Sequence, residues 1–334
     1  MCLWITPKLS HPVCHYEGVK TPRPLPVQLD LAAFTFQEAV DAGVSFRRLR
    51  HVSLHSPSRG IRVPSGGPRT GPACGNTLED VRPFSQVTSF SAASHATAFV
   101  LWGFPGFLPG SKTGLIHISR PDTMGIVRRR GVVGHVGQFF DDEITNLNAL
   151  LITTRLRTWL DCSRRMSVEE ITVVADHLVR HPRPEFEGRT EPYATPGDLA
   201  DMLDRHKGTP GIQKARLALE RSRVGSDSAQ ETRLRLALED AGLPEPELNA
   251  PTDLGFGVVR QPDLSYPEYK VAAEYEGEGH SDAAQIVRDI AREEDFSRAG
   301  WLLMRISKRH MRHEAGAAVR KVRAAMLDRG WPGT

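Results

Sequence analysis

The sequence predicts a multidomain chain of mixed α/β and α+β class, and three observations carry that prediction. Its 334 residues exceed one typical core. Runs of helical spacing alternate along its length with short apolar or period-two runs of strand type. Breaks in the pattern divide it into a leader (1–26), a winged helix-turn-helix (27–64), a linker (65–82), an α+β middle domain (83–222) and a C-terminal α/β domain with a mixed sheet (223–330).

Composition narrows the class. Hydrophobic residues at 40% with 25% charged fit a globular chain, and no apolar run approaches bilayer length, so membrane residence is not expected. Cys2, Cys14, Cys74 and Cys162 are far apart, and without a Cys-x-x-Cys pair they support neither a zinc site nor a disulfide framework. A reducing cytoplasm is therefore the expected location. The net charge of +3 permits nucleic acid without requiring it, so the positions of the arginines decide.

Residues 1–26 carry scattered prolines and histidines but no continuous apolar core, and read as a poorly structured leader rather than a signal peptide. After it, Thr35 caps a short helix that Gly43 ends. Ser45 caps a second helix bearing Arg47, Arg48 and Arg50, and a turn bearing Arg59 leads into an alternating strand with Arg62. Helix, turn, basic helix and wing are the parts of a winged helix-turn-helix. Arg47, Arg48 and Arg50 are then candidates for a major groove and Arg59 and Arg62 for phosphates; the alternative is a small helical domain with a solvated basic face.

Pro, Gly and Thr in 65–82 read as a linker. The middle block opens on a helix from Ala92 to Gly103, continues in the strand-like Leu115–Ser119, and holds helices around Trp159, a core candidate, and His177. Arg128, Arg129 and Arg130 are expected to be a solvated turn. His95, His117, His135, His177, His181 and His206 show no paired ligand spacing.

In the last block Ser228 and Glu231 form a capping-box pattern, followed by a strand to Asp263, a turn over Ser265–Glu268, and a second strand from Tyr269 to Glu276. A long charged helix, the apolar strand Trp301–Ser307 and a final helix complete an α-β-β-β-α-β-α order, allowing an early strand near Leu248. Period-two geometry puts Glu274 and Glu276 on one strand face. Clustered carboxylates repel unless a cation sits among them, so the segment reads as a metal-dependent site. A simple register would set Asp263 nearer Lys270 than Glu274, and a shared site then requires a bulge or strong twist.

The run Ser228-Ala-Gln-Glu231, Pro262-Asp263, Glu274-Tyr-Glu-Gly277…His280, Arg288-Asp289-Ile and Gly300-Trp301-Leu-Leu-Met-Arg305 resembles the PD-(D/E)XK nuclease fold, a restriction-endonuclease-like α/β fold, in its very-short-patch-repair-endonuclease-like branch. Upstream, the winged helix with Ser94-His95-Ala-Thr-Ala-Phe-Val-Leu-Trp102-Gly103 and Arg157-Thr-Trp159-Leu-Asp161 is similar to actinobacterial proteins grouped with AbiEi-type antitoxins of type IV toxin-antitoxin systems. The first resemblance implies Mg²⁺ or Mn²⁺ held by Asp263, Glu274 and Glu276, with Glu231 as the helix acid and His280 as base or charge stabiliser. Glu276 stands where the fold usually has lysine, while Lys270 is a candidate phosphate contact. From the residues alone, Glu231 reads equally as a capping residue and His280 as a turn residue. Two functions follow: an endonuclease delivered to double-stranded DNA, or a repressor or antitoxin with a cognate toxin as partner and an inactive nuclease domain.

Overall fold

A computed structural model describes residues 22–30, 32–65, 77–111, 113–277 and 283–333, with the side chains of 283–286 excepted. The chain is mixed α/β and α+β, its strands forming sheets of three, five, two and four strands among the described residues. No helix there is long and apolar enough to cross a membrane.

The amino-terminal unit runs helix Val27–Asp30, strand Phe34–Thr35, helices Phe36–Asp41 and Phe46–Leu49, then strands Leu54–His55 and Ile61–Pro64. Thr35 caps its helix because its hydroxyl accepts the Glu38 N–H at 3.1 Å while the Glu38 carboxylate returns to the Thr35 N–H at 2.8 Å. Strand Ile61–Pro64 lies between the other two and is antiparallel to both. Its Ile61 and Val63 join Val81, Phe84 and Ala93 in one core, so this unit packs directly on the next. The packing uses helix Leu78–Gln86, which starts inside the stretch expected to be a linker. A second capping box, Thr77 with Asp80, explains that start.

The five-stranded sheet has the order Val132–Gly137, Ile116–Pro121, Ala92–Ala93, Leu150–Thr153, Ile144–Leu147. Helix His95–Leu101 packs against it, and helices Arg155–Ser163, Val168–Val179, Pro196–Arg205 and Ile212–Arg221 pack on that helix and on one another. Trp159, 1% exposed, is at the centre of their core, as its place on an apolar stripe predicts. Of the triple arginine, Arg129 departs from the expected solvated turn. Its guanidinium donates to Arg59 O (2.5 Å), Ser58 Oγ (3.3 Å) and Val87 O (3.2 Å), tying the middle sheet to the amino-terminal hairpin.

The C-terminal unit follows the order helix Ala229–Asp240, strand Glu247–Leu248, hairpin Thr252–Asp253 and Val259–Arg260, strands Leu264–Tyr266 and Val271–Glu276, helix Ala283–Arg298, strand Leu302–Ser307 and helix Gly316–Asp328. In its four-stranded sheet Val271–Glu276 is antiparallel to Leu264–Tyr266 and parallel to Leu302–Ser307. The helix between those parallel strands makes the crossover that such pairing needs. Helix Ala229–Asp240 joins this unit to the middle one through a buried ion pair: Arg235, fully buried, donates to Asp176 Oδ2 at 2.7 Å. Asp176 also accepts from Thr232 Oγ1 (3.0 Å) and the Arg223 N–H (2.7 Å).

Candidate functional site

The acidic site grows out of the hairpin register. Leu264 pairs with Ala273 and Tyr266 with Val271, so the next pair outward is Asp263 opposite Glu274. The expected register, with Asp263 nearer Lys270, is corrected. The chain turns through a 3-10 segment, Pro267–Tyr269, and Lys270 takes a left-handed conformation (φ 52), so the second strand begins at Val271 rather than Tyr269. No bulge is required. Opposed residues of an antiparallel pair project to the same face, which brings the two carboxylates together. The Tyr275 N–H donates to Asp263 Oδ2 at 2.7 Å and fixes that side chain.

Glu231 supplies a third carboxylate from helix Ala229–Asp240. Its N–H is capped by Ser228 Oγ at 3.3 Å, but its own Oε2 turns away from the cap and accepts from Asn249 Nδ2 (2.8 Å) and the Asp227 N–H (2.9 Å). Asn249 also donates its backbone N–H to Asp263 O at 3.0 Å, so one residue braces both acids. Burial raises the Asp263 carboxyl to about 7; the Glu231 and Glu274 charges push the same way, while the Tyr275 N–H and Arg292 oppose them. Burial likewise raises Glu231.

Of the arginines answering these acids, Arg305 stood in a quoted motif without a role and Arg292 was not singled out from the sequence. Arg292 Nε donates to Glu274 Oε1 at 2.6 Å and its Nη2 to Gln261 O at 2.7 Å. Arg305, on the parallel strand, pairs with the half-exposed Glu276 and reaches Asp289 O at 3.1 Å. Arg292 lies one turn beyond Arg288, whose motif was part of the resemblance; that spacing was the available signal.

Of the expected residues, then, Asp263, Glu274 and Glu231 come together. Glu276 lies outward on Arg305. Lys270 sits at the other end of the strand, four residues or about 13 Å from Glu274, with Nζ 3.5 Å from Ala299 O. His280 lies outside the described residues.

For a hard divalent ion the donor type fits: buried, mutually repelling carboxylate oxygens are what such an ion would relieve. Arg292 presently supplies the positive charge beside Glu274, and among the described residues no group of three His, Cys, Asp or Glu side chains is arranged to hold a metal.

In the amino-terminal unit, Arg47, Arg50 and Arg59 are exposed. Arg48 and Arg62 are engaged within the fold. Arg48 donates to Arg23 O (2.7 Å) and Ser53 Oγ (3.0 Å), and Arg62 to Leu49 O, Ser56 Oγ and Ile61 O, each at 2.9 Å.

In sequence the chain is similar to two proteins of Mycobacterium tuberculosis, the uncharacterized protein MT2308 of strain CDC 1551 / Oshkosh and the uncharacterized protein Rv2248 of strain ATCC 25618 / H37Rv. Each is 28% identical over 241 residues, which is 72% of this chain and 82% of the relative. No family model matches the chain, and no solved structure matches it significantly.

Proposed function

We propose that the chain is a DNA-directed protein whose C-terminal unit is a PD-(D/E)XK-like phosphodiesterase domain. The observation that carries the proposal is the acid pair Asp263 and Glu274 facing each other across two strands, with buried Glu231 acting on Asp263. A helix, two antiparallel strands, a crossover helix and a parallel strand are the parts that fold requires, and they are present in that order. For the amino-terminal unit, the order helix, strand, two helices and a two-stranded hairpin supports a winged helix-turn-helix, with exposed Arg47, Arg50 and Arg59 as its phosphate contacts.

A bound Mg²⁺ or Mn²⁺ would polarise a phosphodiester and activate a water. Asp263 and Glu274 would hold it, with Glu231 facing it from the helix. The chain's own part is preorganisation. The Tyr275 N–H and the Asn249 bridge keep Asp263 and Glu231 in place, while Glu274 would have to share its oxygen with Arg292. Arg292, paired with Glu274, would be suited to a phosphate oxygen.

The test is cleavage of plasmid and linear DNA with Mg²⁺ or Mn²⁺. Activity abolished in Asp263→Ala and Glu274→Ala is expected; intact DNA with either ion, or activity that survives Asp263→Ala, refutes the phosphodiesterase reading. One observation favours the repressor or antitoxin reading instead: Glu274 and Glu276 are already neutralised by Arg292 and Arg305, as in a site that has given up its metal. That reading expects specific DNA binding indifferent to Asp263→Ala and lost in a chain lacking residues 27–64. A cognate toxin would be its partner.

A further inference from the structure

The middle unit contains a second ionisable cluster that the acidic site does not use. His117 and His135 lie on neighbouring parallel strands with His117 Nδ1 3.0 Å from His135 Nε2, and the His95 ring stacks on His135 with centroids 3.6 Å apart. Burial above all, then positive neighbours including Arg165, lowers His95 and His135 to about 3 and His117 to about 4. All three are therefore uncharged at neutral pH. Sequence spacing gave no hint of the cluster, because its members come from one helix and two strands.

His95 and His135 of the cluster line a cleft of about 730 Å³, the size of a small-molecule site, with His117 behind them. Five cations face it. Arg157 is held by Glu143 and Asp161, and Arg205 by Asp142 and Glu143. Arg164 and Arg165, both exposed, have no ion-pair carboxylate among the described residues, and exposed Lys207 has only Asp204 nearby, which Arg216 already holds, so the rim carries excess positive charge. Deeper in, Asp161 is 9% exposed. One of its oxygens takes Arg157 Nε at 2.8 Å; the other is buried, has no hydrogen-bond donor and lies 3.8 Å from His95 Nδ1. A buried acceptor left unsatisfied is destabilising, and a ligand's donor would satisfy it.

The geometry argues against a metal as occupant. Imidazoles stacked face to face aim their in-plane lone pairs side by side, not at a common point. The walls instead ask for a molecule with an anionic end, a flat or polar body and a hydrogen-bond donor. We propose that this cleft binds a nucleoside phosphate, its phosphate on Arg164, Arg165 and Lys207, its body along the imidazole stack, and one N–H or O–H on the free oxygen of Asp161. A free nucleotide and the phosphorylated end of a nucleic-acid strand share this chemistry. The proposal does not depend on the phosphodiesterase reading.

The experiment uses the full chain as Asp263→Ala, without divalent metal, so that the acidic site cannot act. Fluorescence anisotropy compares a short 5′-phosphorylated oligonucleotide with its 5′-hydroxyl twin, and AMP is the competitor. The phosphorylated probe is expected to bind about ten-fold tighter or more, the equivalent of one charge-assisted contact. Adding Arg164→Ala and Arg165→Ala, both exposed, removes that preference, with an unchanged thermal melt as the folding control; Asp161→Asn weakens both probes while the preference remains. Displacement by AMP assigns the cleft to free nucleotides, and its failure to displace a phosphate-selective probe assigns it to strand ends. Equal binding of the two probes, a preference that survives loss of both arginines, or no phosphorylated ligand binding below about 1 mM overturns the proposal.

Discussion

Replacing Arg235 with methionine tests the joint between the middle and C-terminal units. The guanidinium is 0% exposed and its partner Asp176 1% exposed, so neither charge is screened by water. Without Arg235, Asp176 keeps two neutral donors, the Arg223 N–H at 2.7 Å and Thr232 Oγ1 at 3.0 Å, against a full buried charge. Breaking a pair of this kind costs about 3–5 kcal/mol, whereas replacing both members is often close to neutral. With a urea m-value of about 3 kcal/mol/M, a loss of 4 kcal/mol lowers the midpoint by about 1.3 M. The double variant Asp176→Asn, Arg235→Met is expected to recover most of that loss. Burial already raises the Asp176 carboxyl, and Arg235 is the strongest influence opposing it. Removing the arginine raises it further, so the folded variant binds a proton more readily than the unfolded chain and its deficit shrinks as pH falls. A single variant costing less than about 1 kcal/mol, or a double variant no more stable than the single, refutes the claim that the pair is a mutually dependent buried couple.

Three further outcomes follow from the same structure. Asp263 is raised to about 7, above its unfolded value, so its charge weighs against the fold as pH rises. Asp263→Asn is therefore expected to melt above wild type at pH 8 and level with it below about pH 4; thermal melts across that range check it, and a constant difference refutes it. Gly211 has φ +98 and an added Cβ would stand 2.5 Å from Arg164 N, so Gly211→Ala is expected to lose about 2–4 kcal/mol in urea unfolding. Arg62→Ala removes three hydrogen bonds, one of which ties its strand to helix Phe46–Leu49, and should lower Tm, whereas on the proposed DNA-binding reading Arg47→Ala should leave Tm unchanged and reduce the salt slope of DNA binding by about one. Melting and salt-titrated anisotropy separate the two arginines.

What could be read from the sequence was local. Thr35 with Glu38, and Ser228 before Glu231, mark helix starts because the hydroxyl accepts the backbone N–H three positions on; Glu38 returns to the Thr35 N–H, whereas Glu231 reaches the Asp227 N–H. The apolar stripe through Trp159 and the acids at the end of a strand are legible for the same reason. Register was not, because it depended on Lys270 adopting a left-handed conformation that its side chain does not announce. Nor could pairings across long separations be read, such as Arg129 with Arg59, Arg292 with Glu274, and the three histidines. Each needs the fold before its partner is known. Arg62, a basic residue that reads as a phosphate contact, has donors engaged by Leu49 O and Ile61 O, which the sequence does not announce.

Helix Ala229–Asp240 presents Thr232 and Arg235 to Asp176 on helix Val168–Val179, while Glu231, only four residues or about 6 Å along the axis from Arg235, looks back at the strand carrying Asp263. A helix over that length behaves as a stiff rod, so the spacing between the two acids is not set by the C-terminal sheet alone. It is shared between Leu234 and Leu238, packed in the C-terminal core, and the hold of Asp176 on the opposite unit. A displacement of helix Val168–Val179 is therefore expected to alter how strongly Glu231 repels Asp263, and the proton affinity of Asp263 would gauge how the two units are docked.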